Sequence, residues 1–161
     1  MSKLPREGRC VVTSEASVDD VWRVVADVTR TGEWSHETGQ VDWLDGADGP
    51  APGVRFRGRN QVRRLRWSRT CEVLAVEPGR SLTWRTVPTL LYPDSTEWTI
   101  EVAPLDDGGS QIEQRFRVVK LPAFFDHLYW RLVPAHRDRS DALRGDLERL
   151  AAIPAGAVPA S

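Results

Sequence analysis

A small set of side chains in this sequence is of a type that could move protons. His36, His127 and His136 are spaced too irregularly to form the i, i+4 pair that holds a metal ion on a helix, so we expect no metal site and no cofactor. His136 is the best candidate for a general base, because it falls on the inward stripe of a predicted C-terminal helix and imidazole titrates near neutral pH. Tyr129 could donate its hydroxyl hydrogen to a developing oxyanion. A surface or structural histidine and a packed tyrosine are the simpler alternatives.

Two amides stand on otherwise apolar strand faces. Asn60 shares one face of a predicted strand with Phe56 and Gly58, and Gln114 shares a face with Phe116. A buried amide must find hydrogen-bonding partners. The partner is either neighbouring backbone or water, or else a polar group of a bound molecule, and the sequence leaves both alternatives open.

Length and composition are those of one globular domain. The chain has 161 residues, of which 40% are hydrophobic and 28% charged. No apolar run approaches the roughly 20 residues that span a bilayer, and residues 1–9 lack the apolar stretch of a secretory signal. We therefore expect a cytoplasmic protein without stable membrane insertion. Cys10 and Cys71 have neither metal-binding nor redox spacing.

The charge pattern argues against a polyanionic partner. A net charge of −1 gives no global field that would attract nucleic acid or an acidic membrane. The densest basic stretch runs from Arg55 to Arg69, and strand alternation places its arginines on the outer face of a strand pair, where they discourage edge association. We expect no nucleic acid partner, and either a monomer or a homodimer.

The order of predicted elements indicates an α+β protein. A first strand is followed by an amphipathic helix capped by Ser17, a short second helix, and strands separated by Gly- and Pro-containing turns that imply an antiparallel meander. Two helices follow, with Pro134 between them. The predicted strands are 9–13, 41–44, 54–60, 67–76, 81–87, 95–103 and 111–119, and the last two helices are 124–132 and 135–152. We predict an extended or disordered segment at 1–8, one domain at 9–153 and a flexible tail at 154–161.

Four runs of sequence carry a resemblance to a known family. They are EASVDDVW at 15–22, DVTRTGEWS at 27–35, GVRFRGRN at 53–60 and WSRTCEV at 67–73. With the element order, they resemble the bacterial polyketide cyclase/dehydrase and lipid-transport family, often called SRPBCC, within the START-like helix-grip superfamily. The resemblance covers about Arg9 to Ile153. It implies a helix-grip fold, in which a curved antiparallel sheet of about seven strands wraps around a long C-terminal helix, with two short helices after the first strand.

The resemblance also implies a ligand cavity between the sheet and the last helix. Such a cavity draws its lining from the concave sheet face, the short second helix and the first half of the last helix. The seven tryptophans would then divide between core filling and cavity lining. The predicted ligand-binding residues are Trp34, Phe56, Asn60, Trp67, Trp84, Trp98, Gln114, Phe116, Phe125, Tyr129, His136 and Ser140.

The family resemblance leaves three functions open, because one fold supports many activities. The first is binding, and possibly transport, of a small hydrophobic molecule such as a lipid, polyketide or aromatic metabolite. The second is a polyketide aromatase/cyclase in which His136 or Tyr129 assists proton transfer. The third is a protein-interaction or stress-related module with a vestigial cavity. We favour the non-catalytic binder.

Overall fold

A computed structural model describes residues 3–156 and shows a single antiparallel sheet with helices on its concave side. The strands are β1 (Glu7–Ser14), β2 (Thr38–Trp43), β3 (Arg55–Val62), β4 (Leu65–Glu77), β5 (Ser81–Thr86), β6 (Ser95–Pro104) and β7 (Ser110–Lys120). Their order in the sheet is β1-β7-β6-β5-β4-β3-β2. The helices are α1 (Val18–Ala26), a 3₁₀ helix (Val28–Glu33), α2 (Ala123–Leu132), a second 3₁₀ helix (Pro134–His136) and α3 (Ser140–Gly156). The predicted helix-grip architecture is confirmed.

The sheet follows the predicted alternation of inward and outward side chains. In β3, Phe56 and Gly58 are buried whereas Arg55, Arg57 and Arg59 are exposed. Register irregularities in three strand pairs, between Thr38 and Gln40, Val73 and Ala75, and Ser95 and Thr96, bend the strands. The bends curve the sheet around the helices and leave a concave face.

The helical pair after β1 is fixed by local capping. Ser17 Oγ accepts a hydrogen bond from Asp20 N at 3.2 Å and caps α1, and Asp27 Oδ1 accepts from Thr29 N at 3.1 Å and caps the first 3₁₀ helix. Gly32 lets that helix approach β2, since a Cβ there would lie 1.9 Å from the carbonyl oxygen of Gly39. The close approach sets the position of the residues that follow, at 34–37.

The C-terminal helix begins later than the sequence indicates. We predicted one helix over 135–152, but the chain forms the 3₁₀ turn Pro134–His136 and enters α3 only at Ser140. The Asp138 Oδ1 atom accepts a hydrogen bond from Ser140 N at 2.9 Å, a local bond that competes with continuous helix. α3 continues to Gly156, which is into the predicted tail, and the rest of that tail lies outside the described residues.

The core lies between the concave face and the helices. Leu143, Leu147 and Leu150 on α3 are buried against apolar residues of the sheet and of α1, where Val21, Val24 and Val25 are buried. Among residues 3–156, none of the helices combines the length and the apolar character that crossing a bilayer requires.

Candidate functional site

A cavity of about 560 Å³ lies between the concave sheet face and the helices. Nine of the twelve predicted ligand-binding residues line it: Trp34, Phe56, Asn60, Trp67, Trp84, Trp98, Gln114, Tyr129 and His136. They come together because residues two apart along neighbouring strands project to the same side of the sheet. The wall is mostly apolar, with charged and amide side chains set into it.

The other three predicted residues lie outside this lining. Phe116 is buried beneath it, with its ring centroid 5.2 Å from that of Trp98. Phe125 packs between Phe124 and Tyr129, at ring distances of 5.6 and 5.7 Å. Ser140 is exposed at the start of α3. Because α3 begins at Ser140 and not at residue 135, this position does not face the cavity as the predicted helix would have placed it.

A carboxylate and an imidazole meet at the cavity wall. Glu37 stands just before β2 and His136 ends the second 3₁₀ helix, and His136 Nε2 lies 3.2 Å from Glu37 Oε1. Burial raises the pKa of Glu37, but the hydrogen bond from His136 and the nearby positive charge of Arg139 outweigh it, so the pKa is lowered. Glu37 is therefore an ionised acceptor at neutral pH. The Trp67 ring stands edge-on to His136 at 6.4 Å.

Asp94 organises a second polar group. Arg69 Nη1 donates to both Asp94 carboxylate oxygens, at 3.1 and 2.9 Å, and the Tyr129 hydroxyl donates to Oδ1 at 3.2 Å. Burial and the neighbouring Asp94 charge raise the pKa of Tyr129. The hydroxyl therefore remains protonated, with its hydrogen directed at Asp94. In this arrangement Tyr129 can offer an oxygen lone pair to a bound molecule, but its hydrogen is already used.

Arg139 is a cation at the cavity wall without a bonded counter-ion among the described residues. Its guanidinium carbon lies 5.9 Å from the Trp98 ring centroid and 5.5 Å from that of Phe116. Burial lowers the pKa of Arg139 and the charges of Glu37 and Asp94 partly restore it. An arginine remains protonated after such a shift. The side chain is held by aromatic faces and long-range attraction, and its donors are not engaged by acceptors in the described part of the chain.

Two further polar atoms in the wall lack hydrogen-bond partners within the described residues. They are Trp34 Nε1, a donor, and Gln114 Oε1, an acceptor. Asn60 differs, because its Oδ1 accepts from the Thr38 hydroxyl at 2.8 Å. Asn60 therefore has a partner in the protein. The Gln114 oxygen has none among the described residues, and either water or a polar group of a bound molecule would satisfy it.

The family model for polyketide cyclase/dehydrase and lipid transport matches residues 9–153, almost the whole described chain. The chain belongs to this family. A search of curated proteins finds no match. Among solved structures, the fold is similar to that of the Zhui aromatase/cyclase from Streptomyces sp. R1128, at 20% identity over 95% of this chain and 99% of that one, with a TM-score of 0.66.

Two other solved structures show how widely the fold is shared. A Deinococcus radiodurans protein is 19% identical over 91% of this chain and 95% of its own, with a TM-score of 0.64. The major latex-like protein 151 of Panax ginseng is 12% identical over 92% of this chain and 97% of its own, with a TM-score of 0.63. At these identities the likeness establishes the fold. The chemistry of this polyketide cyclase/dehydrase and lipid transport family member depends on the side chains of its own cavity.

Sequence reasoning missed four charged residues of the cavity, Arg66, Arg69, Asp94 and Arg139. Arg69 was assigned to the outer face together with the other arginines of the basic stretch, but it has the same strand parity as Trp67 and Cys71, and all three line the cavity. That parity was a usable signal. Asp94 lies in the loop before β6 and Arg139 in the short connection before α3. In such irregular segments no periodicity of the sequence predicts which way a side chain points.

The cavity is bounded at one side by the N-terminal segment. Asp126, buried on α2, accepts hydrogen bonds from Lys3 N at 2.7 Å and Leu4 N at 3.0 Å. Leu4 and Pro5 line the cavity as a result.

Within the described residues, no three His, Cys, Asp or Glu side chains cluster in a way that could hold a metal ion.

Proposed function

We propose that this protein binds a small, mostly apolar molecule that carries an acidic group, and that Arg139 receives this group. The observation that carries the proposal is a half-buried guanidinium at the wall of an apolar cavity, with its N–H donors unengaged by the described residues. The cavity volume of about 560 Å³ falls within the range of roughly 300–1,000 Å³ usual for small-molecule sites.

The apolar wall accounts for affinity. Aromatic and aliphatic side chains cover most of the cavity, among them Trp84, Trp98, Leu82 and Ile100. Transfer of an apolar ligand from water onto such a surface is favourable in proportion to the area removed from water. A flat aromatic or a flexible alkyl body would both gain from this wall. Shape alone does not select between them.

The charges account for selectivity. Asp94 is paired with Arg69 and Glu37 with His136, whereas the half-buried Arg139 has no ion-pair partner among the described residues. Arg66 also lines the cavity, but it is exposed to solvent. A carboxylate beside Arg139 would form charge-assisted hydrogen bonds in a region of low dielectric. A neutral ligand of the same shape would leave these donors without acceptors, and unsatisfied charged donors are costly.

A matched pair of ligands tests this proposal. We expect dodecanoate to raise the melting temperature more than dodecanol does, and its Kd by calorimetry to be at least tenfold lower, because one charge-assisted hydrogen bond contributes about 1.5–3 kcal/mol. Arg139→Met should remove the preference while leaving dodecanol binding in place. Arg144→Met, which changes an exposed arginine of α3, should behave as wild type.

The same experiment can contradict the proposal in two ways. If neither the alkyl pair nor an aromatic pair, 2-naphthoate and its methyl ester, binds to the wild type, the cavity does not take apolar acids. If the acid binds but Arg139→Met retains the full preference for it, the binding function survives and the role of Arg139 is wrong.

The Glu37–His136 pair favours a second candidate function, catalysis of an aromatase/cyclase type. When His136 Nε2–H donates to Glu37, the imidazole Nδ1 lone pair is free to accept a proton. A C–H proton next to a ligand carbonyl would pass to Nδ1, and the electron pair would move onto the carbonyl oxygen. Arg139 could stabilise the resulting enolate oxygen. The enolate carbon could then attack a second carbonyl of the same chain.

Replacement of His136 tests this second function. We expect His136→Ala to lower the rate of cyclised product formation from a poly-β-ketone thioester by about 100-fold or more, the usual contribution of a general base, without a matching change in ligand Kd. His127→Ala, on the exposed side of α2, is the control. Equal rates for the two variants, or no turnover by the wild type, would leave the protein a binder.

A further inference from the structure

The large apolar side chains that the described residues expose lie at one end of the sheet. They are Leu65, Leu90, Leu91, Val119, Phe124 and Leu132. In the antiparallel order, the β3–β4 hairpin, the β5–β6 loop and the end of β7 fall on the same end of the sheet, and α2 leaves from that end. We call the surface made by these six side chains and their neighbouring basic residues the mouth surface.

Side-chain contacts join α2 to the β5–β6 loop at this end of the sheet. Phe124 packs on Phe125, Phe125 packs on Tyr129, and the Tyr129 hydroxyl reaches Asp94 in the β5–β6 loop. Leu65 and Leu132 both line the cavity and are both exposed to solvent, at 48% and 64%. A side chain that lines the cavity and is also exposed to solvent marks an opening of the cavity. The mouth surface therefore surrounds the entrance of the cavity.

Charge is distributed unevenly between this end and the rest of the molecule. Nine Lys and Arg and five Asp and Glu lie in the segments at the mouth end, which are 3–7, 35–38, 60–67, 86–95 and 118–139. The remaining residues contain thirteen Lys and Arg and eighteen Asp and Glu. The net charge of −1 conceals this separation. Although the sequence total predicts no attraction to an acidic membrane, the segments at the mouth end carry net positive charge and the rest of the chain carries net negative charge.

We propose that the mouth surface docks this protein on a bilayer of anionic phospholipid. Leu90 and Leu91 are adjacent at a loop tip and exposed at 103% and 72%, so they can enter the acyl boundary without any change of fold. Arg63, Arg64 and Arg66, all exposed on the next hairpin, would meet lipid headgroups. Exposed apolar side chains that are spread over several loops and separated by arginines suit a broad fluid surface such as a bilayer. A protein partner would instead be expected to meet one continuous apolar patch.

Docking in this orientation would place the cavity entrance against the lipid. An apolar molecule could then pass between bilayer and cavity without crossing water. The docking proposal does not depend on the proposed acidic ligand, since it rests on exposed side chains and charge and not on Arg139.

Vesicle flotation tests the proposal with purified protein. We expect the wild type to bind phosphatidylcholine vesicles that contain phosphatidylglycerol, to bind pure phosphatidylcholine at least tenfold more weakly, and to be released by salt. Each basic residue near an anionic surface changes affinity about fivefold. Arg63→Asn with Arg64→Gln should therefore weaken binding about 25-fold; asparagine tolerates the left-handed backbone at position 63, where φ is 55°.

Two further variants sharpen the test. Leu90→Ser with Leu91→Ser should weaken vesicle binding at least tenfold at unchanged melting temperature, because neither side chain is buried. Arg57→Gln with Arg80→Gln removes the same charge away from the mouth surface and should bind as wild type. Failure of the wild type to float with anionic vesicles would overturn the proposal. So would equal losses in the two arginine variants, or sedimentation showing that the leucines hold two copies of the chain together.

Discussion

Replacing Leu147 with alanine should lower the free energy of unfolding by about 3 kcal/mol, within the range of about 2–5 kcal/mol for buried leucine-to-alanine changes. Leu147 is fully buried in the middle of α3, between the helix and the sheet. The substitution removes its transfer free energy and leaves a void that a close-packed layer cannot fully close. Because Leu147 does not line the ligand cavity, the loss should appear in stability and not in ligand selectivity.

Urea denaturation measures this difference, and Leu90→Ala is the matched control. It makes the same chemical change at a side chain that is fully exposed, so we expect a change within about 0.5 kcal/mol. Similar losses for the two variants would show that α3 does not pack on the sheet as described. A loss restricted to Leu147→Ala would support the helix-grip core on which the cavity depends.

Local rules predicted the sheet well because its signals are local. Alternation in β3 separates Phe56 and Gly58 from the flanking arginines, and the structure shows the same separation. The Gly-containing turns around Gly79 and Gly108 require left-handed backbone, with φ of 73° and 87°. Such positions end one strand and begin the next regardless of what the rest of the chain does.

The site depends on contacts that the sequence could not predict. Glu37 and His136 are 99 residues apart, and His36 and Asp146 are 110 apart. Nothing in the sequence assigns a partner to the carboxylate of Glu37 or of Asp146. The segment after the first 3₁₀ helix meets α3 at the His36–Asp146 pair and the second 3₁₀ helix at the Glu37–His136 pair. Both meetings are a consequence of tertiary packing and not of spacing along the chain.

The start of α3 illustrates the same limit. Apolar periodicity predicted helix from residue 135, but the hydrogen bond from Ser140 N to Asp138 ends the 3₁₀ turn and delays the helix. That small shift moves Ser140 away from the cavity and leaves Arg139 at its wall. An error of a few residues in a helix boundary thus exchanged a predicted hydroxyl at the cavity wall for an observed guanidinium, on which the proposed acidic ligand depends.

Replacing Asp146 with asparagine should lower the free energy of unfolding by about 2 kcal/mol, since each charge-assisted hydrogen bond contributes about 1.5–3 kcal/mol. The buried Asp146 carboxylate accepts hydrogen bonds from His36 N and His36 Nδ1, both at 2.8 Å, and from Arg149. Asparagine keeps the volume and one acceptor but loses the charge. Glu148→Gln, at an exposed carboxylate of the same helix, is the control, and it should change the free energy of unfolding little.

The stability difference should also depend on pH in a definite direction. The hydrogen bond to Asp146 raises the pKa of His36, although burial opposes it, and the Asp146 charge adds to the rise. A histidine whose pKa is higher folded than unfolded stabilises the protein fully below the unfolded value of about 6.5, and this contribution disappears as pH rises through the folded pKa. The wild type should therefore exceed Asp146→Asn by more at pH 5.5 than at pH 9.

An NMR titration of the His36 imidazole provides the decisive reading. In the wild type the midpoint should lie above that of an unstructured histidine, and in Asp146→Asn it should fall toward or below it, because burial then acts without the opposing carboxylate. A His36 midpoint that does not move would mean that the pair is not formed. The junction between the first 3₁₀ helix and α3, which holds Glu37 against His136 at the cavity, would then need another source of rigidity.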